Sequence, residues 1–182
     1  MNPAPNLFFV GPMGAGKTTV GRRVADRLGL PFFDLDHEIE GHTGAAIALI
    51  FELEGESGFR QREQTVLAEM AAREGIVLST GGGAVLAEAN RQVLRERGFV
   101  VYLETTVDQQ LARLARDRKR PLLAAPNRRE RLRELATQRD PLYRAVADLT
   151  VPAAGIRNVG VLANQLAAQL RQAWHRRPEA AA

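Results

Sequence analysis

Short apolar runs alternate along this chain with longer segments in which apolar residues recur at helical spacing. Each short run is bounded by polar or turn-forming residues, which is typical of a buried strand. Five strands are predicted in this way, over Leu7–Val10, Pro31–Asp34, Ile76–Ser79, Phe99–Leu103 and Leu149–Val151.

The segments between the strands have the periodicity of amphipathic helices. Val20, Val24 and Leu28 recur on one face of the first helix. A turn bracketed by Gly55 and Gly58 is expected, and Asp140-Pro141 should break or kink a long helix. The remaining predicted helices cover Asp36–Thr43, Ala45–Leu53, Phe59–Arg73, Ala87–Arg97, Val107–Leu114, Arg128–Ala147 and Val159–Trp174.

The alternation of strands and helices predicts an α/β fold. Parallel strands connected by helices form a sheet that is covered on both faces, here a three-layer α/β/α arrangement with five parallel strands. The length of 182 residues suffices for a single domain, residues 1–182. Ligands of such folds bind at the carboxyl ends of the strands, so the segments directly after the strands are the first candidates for a site.

Composition narrows the class of protein. The chain contains no cysteine, no apolar run of membrane-spanning length and no basic-then-apolar segment at its N-terminus, so we expect a cytoplasmic protein that does not bind membranes. The net charge is +4, and the arginines are interleaved with acids, which favours small anionic substrates over nucleic acid. Residues 176–182 have no pattern and are expected to form a disordered tail.

The segment Gly11–Thr18 lies between the first strand and the first helix and matches the phosphate-loop pattern G-x-x-x-x-G-K-[ST] at every fixed position. Glycines allow backbone N–H groups to converge on phosphate oxygens, and the helix dipole adds to the attraction. In such a loop Lys17 reaches the β- and γ-phosphates and the Thr18 hydroxyl binds Mg²⁺. The alternative is a glycine-rich turn with a chance lysine.

Two further segments follow predicted strands. Asp34 and Asp36 end the second strand, where one carboxylate can help to hold Mg²⁺ and the other can orient a substrate hydroxyl; Asp36 is also acceptable as a helix cap. Gly81–Gly83 follows the third strand and allows a ligand to approach the backbone closely, although a flexible turn has the same pattern. Among the many arginines, composition alone does not choose those that bind an anion.

Over residues 6 to about 170 the chain resembles the shikimate kinases, which have the P-loop kinase fold related to nucleoside-monophosphate kinases. The phosphate loop alone is shared by many kinases, whereas the other motifs in this order are more specific. The motifs are G-P-M-G-A-G-K-T-T followed by V-G-R, then F-F-D-L-D, G-F-R-Q-R-E, S-T-G-G-G-A-V, R-P-L-L and R-D-P-L-Y-R.

The resemblance implies roles for the nucleotide site. Mg²⁺ would be bound by Thr18 and, through water, by Asp34. Arg120 would belong to a mobile lid over residues 116–127 and fold over the phosphates, and Arg157 would contact the adenine. The residues that would wrap the ATP phosphates are Gly14, Ala15, Gly16, Lys17, Thr18 and Thr19.

It also implies a substrate site, with residues 36–62 as the substrate-binding region. Arg60 and Arg139 would hold the shikimate carboxylate, Gly82 would contact the substrate through its backbone, and Asp36 would bind the attacking hydroxyl. The implied reaction transfers the γ-phosphoryl group of ATP to the 3-hydroxyl of shikimate, with Lys17, Arg120 and Mg²⁺ neutralising charge on the transferring group.

Two other functions remain open from the sequence. A gluconate kinase shares the phosphate loop and also accepts a hydroxy acid, but the G-F-R and triple-glycine motifs argue against it. A nucleic-acid-binding or regulatory nucleotide-binding module is favoured only by the arginine content, and aromatic residues for base stacking are few. We therefore expect a monomeric small-molecule kinase in aromatic amino-acid biosynthesis that does not bind nucleic acid.

Overall fold

A parallel sheet of five strands forms the centre of the computed structural model, in which residues 4–115, 127–152 and 158–174 are described. The predicted α/β fold with five parallel strands is confirmed. In chain order the elements are β1 (Asn6–Val10), α1 (Lys17–Leu28), β2 (Phe32–Asp34), α2 (Leu35–Thr43), α3 (Ile47–Ala72), β3 (Val77–Ser79), a 3₁₀ helix (Ala84–Leu86), α4 (Glu88–Arg97), β4 (Gly98–Glu104), α5 (Val107–Leu114), α6 (Arg128–Val146), β5 (Leu149–Pro152) and α7 (Val159–Ala173).

The order of the strands in the sheet is β2-β3-β1-β4-β5. β1 is central and pairs in parallel with β3, where Phe8 lies opposite Leu78, and with β4, where Phe8 lies opposite Val100. Because β2, β3 and β1 are neighbours, the segments that follow them emerge side by side at the carboxyl edge of the sheet. These segments contain the two aspartates, the triple glycine and the phosphate loop.

The side chains of β1 alternate between two hydrophobic cores, one on each face of the sheet. Phe8 packs in the core formed with α3, which includes Leu67. Phe9 packs in the core formed with α1 and α7, which includes Val24 and Leu166. All residues of β1 are buried, which explains why it has a continuous apolar run rather than an alternating one.

The helix boundaries near the site differ from those predicted. α2 begins at Leu35, one residue before the predicted start, because the Asp34 side chain accepts a hydrogen bond from the Asp36 backbone N–H. Asp34, and not Asp36, is therefore the N-cap. The expected turn is confined to Gly55, whose left-handed φ of 70° kinks α3, and Gly58 is already helical.

The structure shows no break of α6 at Pro141, one of the two effects expected there. α6 continues through this proline, although proline lacks the N–H that would bond to the preceding turn. Burial of one face of the helix accounts for this, since Leu135, Arg139, Tyr143 and Val146 are all buried. The short 3₁₀ helix after the triple glycine was not predicted. None of the helices in the described part of the chain is long and apolar enough to cross a membrane.

Candidate active site

The phosphate loop connects β1 to α1 and contains three glycines with positive φ, Gly11, Gly14 and Gly16. Gly14 has φ 75° and Gly16 has φ 94°, values that other residues rarely adopt. Lys17 is the first residue of α1 and is only 8% exposed. Its Nζ donates to the backbone oxygens of Gly11 at 2.8 Å and Pro12 at 2.9 Å, so the ammonium lies against the loop itself.

The end of β2 is joined to the phosphate loop by a hydrogen bond. The Thr18 hydroxyl donates to Asp34 Oδ2 at 2.6 Å, and Asp34 Oδ1 accepts from the Asp36 backbone N–H at 3.1 Å. One carboxylate thus fixes both the start of α1 and the start of α2. A hydroxyl and a carboxylate in contact are two oxygen ligands of the kind that Mg²⁺ prefers.

The triple glycine, Gly81–Gly83, lies between the phosphate loop and the carboxylates of Asp36 and Glu63. A Cβ on Gly82 would be 3.3 Å from the backbone nitrogen of Met13 in the loop. A Cβ on Gly81 would be 3.1 Å from Asp36 Oδ1 and 3.0 Å from Glu63 Oε1. The glycines therefore allow the loop and both carboxylates to approach one another.

Arg60 occupies the space next to the last glycine of this segment. A Cβ on Gly83 would overlap the Arg60 guanidinium, so any other residue there would displace this group. Arg60 Nη1 forms an ion pair of 2.7 Å with Glu63, which is 1% exposed, and Nη2 forms a longer one of 3.2 Å with Glu56. The guanidinium carbon also lies 5.2 Å from the centre of the Phe59 ring.

Three buried side-chain nitrogen or oxygen atoms of the described residues have no hydrogen-bond partner: Arg60 Nε, Glu63 Oε1 and Arg139 Nε. Unpaired buried polar atoms are costly, and their concentration in one place is typical of a ligand site. Burial raises the pKa of Glu63, and Arg60 opposes this shift through its charge and hydrogen bond. Burial alone would lower the pKa of Arg60, but the carboxylates of Glu63 and Glu56 raise it.

Arg139 reaches the site from the buried face of α6 and is 6% exposed. One turn further along, the hydroxyl of Tyr143 donates to the Gly82 backbone oxygen. The Tyr143 ring stacks on Tyr102 with the ring centres 5.1 Å apart, and the Tyr102 hydroxyl donates to Asp140 at 3.0 Å. α6 is thereby fastened to both β4 and the triple glycine.

Helix α5 also supports the phosphate loop, through hydrogen bonds to its backbone. Gln110 is 3% exposed and donates to the Met13 backbone oxygen at 2.8 Å, while Arg113 donates to the Gly14 backbone oxygen at 2.9 Å. Neither residue was among the predicted site residues, and no motif marks them. Glu63 and Tyr143 were also missed as site residues, although both lie within motifs, G-F-R-Q-R-E and R-D-P-L-Y-R.

The described structure therefore brings together most of the residues predicted for the site. Along the carboxyl edge of the sheet lie Gly14–Thr19, Asp34, Asp36, Arg60, Gly82 and Arg139. Arg120, Arg157 and the tail 176–182 lie outside the described residues, as does the predicted lid except for Asn127, which precedes α6.

Comparison with known proteins identifies the family. The model of the family "Shikimate kinase" matches residues 13–172. A shikimate kinase of Chromohalobacter salexigens is 59% identical over 151 residues, which cover 83% of this chain and 84% of the relative. A shikimate kinase of Haemophilus influenzae is 53% identical over 162 residues, which cover 88% of this chain and 89% of the relative.

Solved structures agree with the sequence comparisons. A shikimate kinase from Acinetobacter baumannii, solved in complex with shikimate, matches with a TM-score of 0.88 and 50% identity, over 94% of this chain and 95% of that one. A sugar kinase from Janibacter sp. HTCC2649 matches with a TM-score of 0.62 at 20% identity and shares the fold alone. The chain belongs to the shikimate kinase family, whose members transfer a phosphoryl group from ATP to shikimate.

Proposed function

We propose that this chain phosphorylates the 3-hydroxyl of shikimate where the triple glycine meets the phosphate loop, giving 3-phosphoshikimate and ADP. One observation carries the proposal: Gly82 lies against the phosphate loop while Gly83 lies against Arg60. A substrate whose carboxylate binds Arg60 would thus lie next to the γ-phosphate of a nucleotide bound in the loop. Phosphoryl transfer depends mainly on such positioning and on stabilisation of charge.

On the nucleotide side, the backbone N–H groups of Gly14–Thr19 would bind the phosphates. Lys17 would exchange its bonds to the Gly11 and Pro12 carbonyls for phosphate oxygens, a short movement for a flexible side chain. Arg113 adds a further positive charge to the same loop. We keep Arg120 and Arg157 as predictions from the family resemblance.

The contact between Thr18 and Asp34 fits a Mg²⁺ ion that binds ATP. No group of three or more His, Cys, Asp or Glu residues that could hold a metal exists in the described ranges. That agrees with the ordinary binding of Mg²⁺ in kinases, where one or two protein oxygens suffice and phosphates and waters complete the shell. When bound, the ion would neutralise charge on the β- and γ-phosphates.

On the substrate side, Asp36 would accept a hydrogen bond from the attacking hydroxyl and direct it at the γ-phosphate. Arg60 and Arg139 would bind the carboxylate, since a guanidinium matches its two oxygens and always carries its charge. Their unpaired Nε atoms are available for that purpose. Asp36 and Arg60 both belong to residues 36–62, which we propose as the substrate-binding region.

The decisive experiment measures ADP release with ATP and Mg²⁺ across a panel of hydroxy acids that includes shikimate, quinate and gluconate. We expect turnover with shikimate alone at low substrate concentration, and a product whose phosphorus signal couples to the proton at carbon 3. Preferred turnover of gluconate would overturn the substrate assignment. Retention of the protein on DNA that falls steeply with salt would favour the nucleic-acid-binding alternative.

We further propose that the enzyme works as a monomer in the cytoplasm. The absence of cysteine agrees with a reducing compartment. Sedimentation velocity at the enzyme concentration of the assay, with and without ATP, checks whether the enzyme is a monomer. A concentration-dependent specific activity would contradict it.

A further inference from the structure

We infer that Tyr143 is a positioning residue, whose hydroxyl ties Arg139 to the Gly82 peptide and so sets the spacing of two groups that face the substrate. The inference rests on the proposed substrate site. It concerns a side chain that contacts neither ATP nor shikimate in that proposal. It therefore adds a specific residue to the recognition of the acid substrate.

The geometry around the hydroxyl carries the inference. Tyr143 is fully buried, and its hydroxyl donates to the Gly82 backbone oxygen. The positive charge of Arg139, one turn earlier on α6, acts on the same hydroxyl and lowers its pKa against the effect of burial. The same hydroxyl thus donates to Gly82 and interacts with the charge of Arg139, although the two residues belong to different parts of the chain.

The bridge restricts both of its partners. A peptide unit is planar, so a hydrogen bond to the Gly82 oxygen fixes the orientation of the Gly82–Gly83 peptide, which glycine would otherwise leave free. The attraction between the hydroxyl oxygen and the Arg139 guanidinium favours one orientation of that group, while its Nε stays without a partner. Burial raises the pKa of Tyr143, so the hydroxyl keeps its proton and remains a donor at neutral pH.

The stacking of Tyr143 on Tyr102 provides a matched control. Both rings are fully buried and stack on each other, but the Tyr102 hydroxyl donates to Asp140, whereas the Tyr143 hydroxyl donates to Gly82. Tyr143→Phe and Tyr102→Phe therefore each remove one buried hydroxyl and keep the stacked rings. A merely structural role predicts the same kinetic behaviour for both variants.

The test compares steady-state kinetics and thermal unfolding of the full-length enzyme and its variants. We expect Tyr143→Phe to raise the KM for shikimate about three- to tenfold, the scale of one neutral hydrogen bond, and to leave the KM for ATP unchanged. Tyr102→Phe should leave both KM values unchanged. Similar melting temperatures of the two variants would exclude a difference in folding.

A double variant separates this inference from the proposed site. If the hydroxyl acts through Arg139, the combination of Tyr143→Phe with Arg139→Lys should raise the shikimate KM by less than the product of the single effects. If the double variant raised the shikimate KM by the full product of the two single effects, the inference would be overturned. Equal kinetics of Tyr143→Phe and Tyr102→Phe would also overturn it. If Arg139→Lys alone left the shikimate KM unchanged, the proposed substrate site itself would fail.

Discussion

The Thr18 hydroxyl, in the first turn of α1, donates a hydrogen bond of 2.6 Å to Asp34, the last residue of β2. This contact joins the residue after the loop lysine to the end of β2, and it places the two proposed Mg²⁺ ligands next to each other. Asp34 also caps α2 through the Asp36 N–H. The same carboxylate therefore serves both stability and the proposed metal site, and a suitable substitution should separate the two roles.

Asp34→Asn is that substitution. Asparagine caps helices about as well as aspartate, so the melting temperature should change little. The loss of the negative charge should weaken the binding of Mg²⁺, and we expect the Mg²⁺ concentration for half-maximal activity to rise by about tenfold or more. A titration of activity with Mg²⁺ at saturating ATP and shikimate measures this. An unchanged midpoint would contradict the role of Asp34.

Lys17→Ala tests the phosphate loop. Lys17 Nζ is held close to the loop by the Gly11 and Pro12 oxygens, so it is ready to meet the transferring phosphoryl group. Removal of one preorganised charged donor typically lowers kcat by about 10²–10³-fold. The variant should remain folded by circular dichroism. A folded variant with the turnover of the parent enzyme would end the interpretation of this loop as a phosphate site.

Arg60→Lys tests recognition of the carboxylate, and Arg62→Lys is its control. Both arginines lie on α3, but Arg60 faces the triple glycine, whereas Arg62 forms an exposed ion pair with Glu54 at 2.6 Å. Lysine keeps the charge and loses the paired N–H donors. We expect Arg60→Lys to raise the shikimate KM about ten- to a hundredfold, the scale of a charged hydrogen bond, with the KM for ATP unchanged.

Arg62→Lys should leave all kinetic constants unchanged, because exposed ion pairs contribute little. An amide analogue of shikimate sharpens the comparison, since it lacks the negative charge. It should be a poor substrate for the parent enzyme, and Arg60→Lys should affect it much less. Equal effects of the two lysine variants on shikimate would remove Arg60 from the substrate site.

The pH dependence of stability should reveal Glu63. Burial raises the pKa of this carboxyl above its ordinary value of 4.5. Between 4.5 and the raised pKa the folded protein binds more protons than the unfolded chain, so this group makes the free energy of unfolding fall as the pH rises through that window. Glu63→Gln removes the titration and should flatten this part of the profile, measured by urea unfolding from pH 4.5 to neutral pH.

Glu54→Gln gives a control of opposite sign. The hydrogen bond from Arg62 lowers the pKa of this exposed carboxyl, so its stabilisation is present above 4.5 and is lost as the pH falls through the lowered pKa. Its substitution should therefore change the profile only on the acid side. A profile of Glu63→Gln that keeps the parent's slope above pH 4.5 would show that Glu63 does not titrate there.

These residues also show how far a sequence predicts a site. Gly11–Thr18 could be recognised because its glycines and lysine follow a fixed local spacing, and the alternation of strands and helices predicted the sheet. Arg60 and Arg139 are distant in sequence, and only the family resemblance distinguished them from the other arginines. Locally they look like solvated helix residues, and their burial depends on tertiary packing.

Glu63 and Tyr143 were missed for the same reason. Glutamate is usually exposed, so nothing in the sequence indicated that this one is buried beside Arg60. Tyr143 looks like an ordinary core residue, and its role depends on where its hydroxyl lies relative to Gly82. The sequence pattern likewise did not show that Asp34 rather than Asp36 is the N-cap of α2, because aspartate is a favourable N-cap at either position.

Gly83→Ala should weaken substrate binding although it substitutes no polar side chain. A Cβ at this position would overlap both terminal nitrogens of Arg60, so the guanidinium must move away from the triple glycine. Because Gly83 has an ordinary φ of −97°, the added methyl group causes no backbone strain of its own. The expected result is a rise in the shikimate KM of the same order as that of Arg60→Lys, about tenfold or more, with the KM for ATP unchanged.

Gly41→Ala is the matched control for this substitution. Gly41 lies inside α2, within the same proposed substrate region, and a Cβ there would meet nothing within 4 Å. Alanine in an open helical position should stabilise the protein by up to about 1 kcal/mol and leave both KM values unchanged. If Gly83→Ala behaved like Gly41→Ala in shikimate kinetics, the guanidinium would not need its present position beside Gly83. The proposed contact between Arg60 and the carboxylate would then lose its structural basis, whatever the effect of Arg60→Lys.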